Sequence, residues 1–545
     1  VETTGILCRG CQRLLNGIFQ QHTTLWGFSI LLLVIWAAWR VIRFTLTPKW
    51  HPEEPPEVPY LIPGQCRSTI HISTHLANSH STGLGGCQYI FTPSFRLILT
   101  YQVTPFPFSN TTILFLREQG AKFYVISDAK HAAEVDKNAS TLSFEEFVLD
   151  FLRNTGLSES ATQACYFQKL ANGAVDFPNA AEDPIGLLIH QMHMHELYPG
   201  EKQKALVARF LHYFNRDLRI DQIRAAGSPK DDHTGVKGAN VSLYKWCAHF
   251  FTRAGGYAYF GDDLSRIDPD FADVFYTFDE LSWHINYRIP KPFSKDMRAA
   301  TNHLHRSLKK YIMAPKSERS EQTWLLQGAE AGLRAMGVQE DDIATLFLTM
   351  YMTTTFWMLA FLLHNPSLIE TIRQETAQAF EGSELVNHEQ LVNHSLCPHL
   401  EAVWLETLRL ISNGSAVRCV NEDTVVGDML FRKGNKVIIP YRLLHMNENA
   451  YKQDPEQFIP NRLLEKENRT RGGYWRPFGG GKTLCTGRFV AEQSIKACIC
   501  TVLHRFDLEI IGGAPLPEGD VGTPGLGIMG IKAGEDFSVK ILERG

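Results

Sequence analysis

The chain carries little net charge for its size, −4 at pH 7 over 545 residues, so nothing global points to a nucleic-acid partner. It is poor in cysteine: eleven residues whose spacing shows no pairing pattern, which excludes a disulfide framework. Cys8 and Cys11 form one C-x-x-C, but no second pair completes a zinc site, and unpaired thiols are the expected state. The sequence has no internal repeat and no low-complexity tract, which excludes solenoids and long disordered arrays. It also shows no recognisable flavin- or nicotinamide-binding module. What the chain has is apolar residues, 44% of the total, ample for a large buried core. Length alone suggests several domains.

Charge is missing again near the N-terminus, where no Asp, Glu, Lys or Arg occurs between Leu14 and Trp39. The apolar core of that stretch, 25–39, is shorter than the roughly 20 residues a membrane span needs. Ile18, Phe19, Val41 and Ile42 extend it, with Arg40 snorkelling to the interface. Trp26, Trp36 and Trp39 suit the two interfaces. Arg40, Arg43 and Lys49 follow, which places the bulk of the chain on the cytosolic side, with Arg9 and Arg13 as a weaker opposing signal. No small-residue cleavage site follows the apolar run, so a signal peptide is disfavoured. Pro48, Pro52, Pro55, Pro56, Pro59 and Pro63 then predict a stiff, extended spacer. The expected organisation is a lumenal segment over 1–23, a single anchor over 24–45, a linker over 46–64 and one globular domain over 65–545. That layout fits the endoplasmic reticulum membrane, and the sequons at Asn110 and Asn138 would then stay unglycosylated.

The most informative feature is Cys485, in Phe478-Gly-Gly-Gly-Lys-Thr-Leu-Cys-Thr-Gly487. Glycines let backbone approach a flat ligand where a Cβ would collide. The residues 488–506 read as an amphipathic helix whose positive end points at the sulfur and favours thiolate, the metal-ligating form. Upstream, the helical run 400–410 places Glu406 and Arg409 on one face. A third segment, Asp454-Pro-Glu-Gln-Phe-Ile-Pro-Asn-Arg462, lies between the two.

Together these resemble the cytochrome P-450 superfamily. Phe478, Gly481, Cys485 and Gly487 sit on the fixed positions of its F-x-x-G-x-x-x-C-x-G loop, and Gly479 lies inside it. Pro455, Glu456, Phe458, Pro460 and Arg462 match its P-E-x-F-x-P-x-R segment. The order and spacing are the family's, from about Pro55 to the C-terminus. The resemblance implies a mainly α (α+β) fold with small β-sheets and haem b, its iron ligated by Cys485. It also implies a charge network of Glu406, Arg409 and Arg462, and Arg418 against a haem propionate. Thr483 stands where the family usually has a second propionate-binding cation, so that contact must be weakened or supplied elsewhere.

The apolar run 341–364 should be one long helix across the distal face of the haem. Here the chain departs from the family. The usual acid–Thr pair aligns with Thr349 and Met350, so the acid is missing and Met replaces the hydroxyl. Thr353, Thr354 and Thr355 lie a turn later, as relay candidates or as threonines bonded to their own helix backbone. The same departure occurs in the branch containing prostacyclin synthase and sterol 7α-hydroxylase. The segments 356–366 and 477–481 also look like that branch and its fungal natural-product relatives.

The implied activity is oxidation of a hydrophobic metabolite, of terpenoid, steroid or polyketide type, by dioxygen. Electrons would come from NADPH through a separate reductase, docked on the basic segment Arg469, Arg471, Arg476, Lys482 and Arg488. The expected pocket walls are 346–354, 415–417 and 525–529. Without the acid–Thr pair, a haem-thiolate isomerase or dehydratase is the alternative. His190, His193 and His195 do not share one helix face, and loop positions rather than a metal site are expected. Two strands are expected at 113–117 and 122–126, a polar loop at 221–240 and a strand–turn–strand at 426–439.

Overall fold

The computed structural model describes residues 31–55, 113–118, 121–170, 175–178, 180, 182–226, 238–286, 288–319, 321–349, 356–451, 454–464, 471–523 and 527–544. Helices dominate, and the β structure is confined to small sheets. Cys8, Cys11, Met350, Thr353, Thr354 and Thr355 lie outside the described residues.

The N-terminal apolar segment forms a helix over Leu31–Trp50, none of it buried against the rest of the chain. Its length and composition suffice to cross a membrane. The helix runs further than the expected anchor end at 45, through a π turn at Ile42–Leu46 and a last turn at Thr47–Trp50. Pro48 lies in that last piece, directly after the π turn that locally re-registers the helix hydrogen bonds. The proline-rich segment therefore begins as helix, and its described part is tied to the globule. Glu54 pairs with Lys122 at 2.6 Å and with Arg432 at 3.2 Å. The Leu430 amide donates to the Glu53 carbonyl at 2.6 Å.

Among the described residues the main sheet has five strands in the spatial order Ile113–Glu118, Ala121–Ile126, Lys436–Pro440, Ser415–Val420, Leu142–Ser143. Only the pairing of Ala121–Ile126 with Lys436–Pro440 is parallel. The long crossover between those two strands encloses most of the helices. A second, antiparallel sheet joins Phe506–Ile510, Ser538–Glu543 and Ala239–Ser242. Between the sheets, the helices Phe356–Leu363, Pro398–Ile411 and Arg488–Arg505 share one apolar core. Every residue of Phe356–Leu363 is buried, so its sequence is apolar all round rather than striped. Phe361 stacks on Phe458 with ring centroids 4.3 Å apart, which fixes the P-E-x-F-x-P-x-R segment against that core.

Of the run 341–364, residues 350–355 lie outside the described residues, and the described parts are the helices Glu340–Leu348, with Thr349 at its C-terminal cap, and Phe356–Leu363. Two expectations need correction, those for the loop over 221–240 and for the histidine-rich segment. The expected loop over 221–240 contains most of a helix, Ile220–Ala226, and the start of a strand, Ala239–Ser242, which pairs with Ser538–Glu543 as the edge of the second sheet and buries alternate residues. The histidine-rich segment is not a loop: it lies in the helix Ile185–Leu197. The strand–turn–strand over 426–439 is a hairpin, Thr424–Val426 with Met429–Phe431, followed by the strand Lys436–Pro440.

Candidate active site

The loop before Arg488–Arg505 is built by backbone geometry. Gly479 and Gly481 sit at φ of 84° and 60°, where an L side chain is strained. At Gly480 a Cβ would come within 1.7 Å of the Arg476 guanidinium. At Gly481 a Cβ would sit 2.8 Å from the Asp136 Cβ. These glycines therefore let the chain fold tightly over a charged cluster. The loop closes where the Cys485 amide donates to the Phe478 carbonyl at 2.9 Å. Gly487 caps the 18-residue helix Arg488–Arg505, so the cysteine stands at its positive end.

Cys485 is solvent-accessible on one side and enclosed on the others. Burial pushes its thiol above the ordinary value. The amides of Gly487 and Arg488 and the Arg488 guanidinium act the other way, in the direction the helix end demands, but they do not outweigh burial. Arg488 also bonds the Cys485 carbonyl at 2.7 Å and lies over the rings of Tyr198 and Phe489. Phe478 packs between Trp404 and Trp475, each centroid 6.4 Å away.

Behind the loop, the structure brings Glu406, Arg409 and Arg462 together. Glu406 accepts from Arg409 Nε and Nη2, both at 2.8 Å, a bidentate pair with both side chains fully buried. Arg462 Nε approaches the same carboxylate to 3.1 Å, and the Ile459 amide donates to it at 3.1 Å. The remaining Arg409 donors reach the carbonyls of His445 at 2.9 Å and Pro455 at 2.6 Å, and its guanidinium lies over Tyr451.

His445 joins this network to the cysteine loop. Its Nδ1 is 3.0 Å from the Arg409 carbonyl and its Nε2 is 2.8 Å from the Arg476 amide. A carbonyl needs a donor and an amide needs an acceptor, so the ring is neutral with its proton on Nδ1. Full burial, with Arg409 beside it, holds its pKa down at about 3.

The second cluster faces the loop from the main sheet. Arg418 donates to the Thr483 hydroxyl at 2.5 Å and to the Val417 carbonyl at 2.9 Å. The Asp136 carboxylate, on the helix Ala129–Lys137, lies 3.6 Å from Arg418 and also bonds Arg476. Burial lowers the Arg418 pKa below its ordinary range. Tyr441, whose hydroxyl would be 3.0 Å from a Cβ at Gly479, is pushed up to about 12, chiefly by burial. Arg476 was grouped with the exposed basic residues of the docking segment, and that assignment needs correction. Its side chain is 12% exposed and turned inward to Asp136, whereas Lys482 is on the surface.

Thr349 is the C-terminal cap of Glu340–Leu348, and its hydroxyl donates to the Leu346 carbonyl at 2.8 Å. The Trp357 indole donates to the Met529 carbonyl at 2.6 Å, and Asn413 donates through its backbone amide to the Gly527 carbonyl at 2.9 Å and through its side-chain amide to the Thr523 carbonyl at 3.1 Å. These bonds hold 527–529 beside the end of Pro398–Ile411. Of the expected pocket walls, 350–354 and 525–526 lie outside the described residues. His193 bonds the Ile189 carbonyl of its own helix at 2.9 Å, and His195 packs on Phe177 and Trp324. Among the described residues the one group with metal-ligand proximity is elsewhere, at His394, Glu401 and Glu492, and Lys496 already bonds both of its carboxylates.

Asp136 and His445 were not singled out from the sequence. Asp136 lies 340 positions from Arg476, and no local pattern links them. His445 had a weak signal, as one of several polar residues in an otherwise apolar stretch.

The cytochrome P450 family model matches residues 234–528, more than half of the chain, so this protein belongs to the cytochrome P450 family. It is similar to the cytochrome P450 monooxygenase poxD of Penicillium oxalicum, 23% identical over 72% of this chain and 79% of the relative. It is similar to the cytochrome P450 monooxygenase nodJ of Hypoxylon pulicicidum, 24% identical over 78% of this chain and 81% of the relative. Prostacyclin synthase of Bos taurus is 29% identical over 61% of this chain and 74% of the relative. The protein is accordingly an oxygen-dependent oxidoreductase of the haem-thiolate class, with haem iron as its cofactor. The residues present fit that group: an accessible thiol at a helix N-terminus, and a buried guanidinium pair facing the same loop.

Proposed function

We propose that this protein is a membrane-anchored monooxygenase that inserts oxygen into a hydrophobic small molecule, of terpenoid, steroid or polyketide type, in a secondary-metabolite route. Electrons come from NADPH through a separate reductase. The observation that carries this reading is Cys485, accessible at the capped end of Arg488–Arg505 inside a loop that only glycines can build. Cys485 would hold the haem iron through its thiolate, and the cofactor so held would supply the activation of dioxygen. Phe478, Gly479, Gly481 and Gly487 shape the loop around the cofactor, and Arg418 binds one of its carboxylates. Glu406, Arg409 and Arg462 lock the core behind the loop, and His445 transmits that order to the Arg476 amide.

The substrate class is supported by the apolar character of the helices Glu340–Leu348 and Phe356–Leu363, and the monooxygenase activity by the two fungal relatives whose names carry it. The helix Leu31–Trp50 supports a single anchor. Arg40, Arg43 and Lys49 support a cytosolic catalytic domain on the endoplasmic reticulum, with the boundaries 1–23, 24–45, 46–64 and 65–545. Thr349, Met350, Thr353 and Thr354 are the distal candidates for oxygen-side proton delivery. The missing acid–Thr pair at Thr349 and Met350 supports a second reading, a haem-thiolate isomerase or dehydratase.

The deciding experiment co-expresses the protein with a reductase under labelled dioxygen and compares metabolites with and without it. A product heavier than its precursor by one labelled oxygen establishes the monooxygenase. An unlabelled product, isomeric with its precursor or lighter by water, establishes the second reading.

A further inference from the structure

Thr483 has no charge, yet the structure supplies a cation beside it. Arg418 and Arg476 come from different elements, a strand of the main sheet and the start of the cysteine loop. Both guanidinium groups converge on a single carboxylate, Asp136, which lies 3.6 Å from Arg418 and within hydrogen-bond reach of Arg476. All three side chains are largely buried, with exposures of 4%, 12% and 10%. Two positive charges therefore share one negative charge in a partly desolvated space, which leaves one positive charge uncompensated among these three. The same Arg418 also grips Thr483, two residues before Cys485, so the cluster is coupled to the cysteine loop itself. Gly480 and Gly481 leave no room for a Cβ against Arg476 and Asp136, so the loop backbone is shaped around this pair. Lys482, the neighbouring cation, is exposed and does not join the cluster.

We infer that Arg476 and Arg418 form the carboxylate clamp for the haem, Arg476 replacing the cation absent at position 483, with Asp136 as a resident carboxylate that competes for the same two guanidinium groups. This inference rests on the reading of Cys485 as the haem ligand. Arg476 and Arg418 bind and orient the cofactor; they take no part in bond breaking. Asp136 sets the net positive charge beside the cofactor: with it present the trio carries one positive charge, and without it two. A positive charge near the iron favours the reduced, less positive state.

The test uses the full-length protein loaded with haem, its thiolate ligation verified first by the carbon monoxide spectrum of the reduced form. Haem transfer to an excess of apomyoglobin gives the loss rate, and redox titration gives the midpoint potential. Arg476→Gln is expected to lose haem about tenfold faster, the factor corresponding to one charge-assisted hydrogen bond, and to shift the potential downward. Asp136→Asn is expected to move both quantities the other way: slower haem loss and a raised potential. If Arg476→Gln matches the parent in both, the inference is overturned. If Asp136→Asn loses haem faster, the Arg476–Asp136 pair is only a structural brace, and the inference is equally overturned. Should Arg476→Gln fail to accumulate, Asp136→Asn alone decides by its sign. A parent protein that holds haem without the thiolate spectrum sinks the reading of Cys485 instead, which separates the two failures.

Discussion

Glu406→Gln is the perturbation that probes the core of the fold most sharply. The Glu406 carboxylate is fully buried and accepts two bonds from Arg409, an approach from Arg462 and the Ile459 amide, all within 3.1 Å. Glutamine keeps the shape but removes the charge and turns one acceptor into a donor aimed at a guanidinium. Arg409, at 0% exposure, and Arg462, at 8%, then keep their positive charges with no buried counter-charge. Breaking a buried pair in this way costs about 3–5 kcal/mol. Stabilities of folded proteins are about 5–15 kcal/mol, so the variant should lose a large share of its margin. The damage should travel, because the Arg409 carbonyl and the His445 ring lead directly to the Arg476 amide of the cysteine loop. The assay is denaturant unfolding of the haem-loaded protein, read by tryptophan fluorescence and by the thiolate-haem absorbance. The expected result is a lower midpoint by both probes, with the haem signal lost first or together with the fluorescence. An unfolding free energy within about 1 kcal/mol of the parent would refute the reasoning, since a surface-like pair has that worth.

Two further outcomes follow from the same geometry. His445 has a folded pKa of about 3 against 6.5 for the free side chain, so between those values the unfolded chain binds the extra proton. Its contribution to stability is therefore complete above pH 6.5 and is lost as the pH falls towards 3; His445→Gln should flatten the pH dependence in that window, and an unchanged slope measured by unfolding at several pH values would contradict the assignment. Gly481→Ala forces a side chain at φ 60° and a Cβ 2.8 Å from Asp136, a strain of about 1–3 kcal/mol, and should reduce the haem content of purified protein measured against total protein, whereas Gly434→Ala, also at positive φ but with open space around it, should retain haem.

The sequence carried the cysteine loop and the two helix-side motifs because each is contiguous and each has a spacing that its chemistry requires. The charge network could be paired in advance since Glu406 and Arg409 are three apart on one helix, although nothing local says that Arg409 also satisfies the carbonyls of His445 and Pro455. The Asp136 carboxylate was not legible, because its partners, Arg418 on the strand Ser415–Val420 and Arg476 in the cysteine loop, lie hundreds of positions away with no local pattern linking them. For the same reason a count of basic residues placed Arg476 on the surface: composition cannot tell an inward guanidinium from an outward one. The thiolate preference of Cys485 was read from the helix end alone; the enclosing protein adds a desolvation cost of opposite sign that only packing reveals. The linker prolines predicted extension, but Pro48 falls where a helix tolerates it.

The most direct test of the account is the carbon monoxide difference spectrum of the reduced, purified protein beside that of Cys485→Ser. The account predicts the red-shifted band of thiolate-ligated haem in the parent and its absence from the variant. The same band in Cys485→Ser, or its absence from a haem-loaded parent, would contradict Cys485 as the ligand.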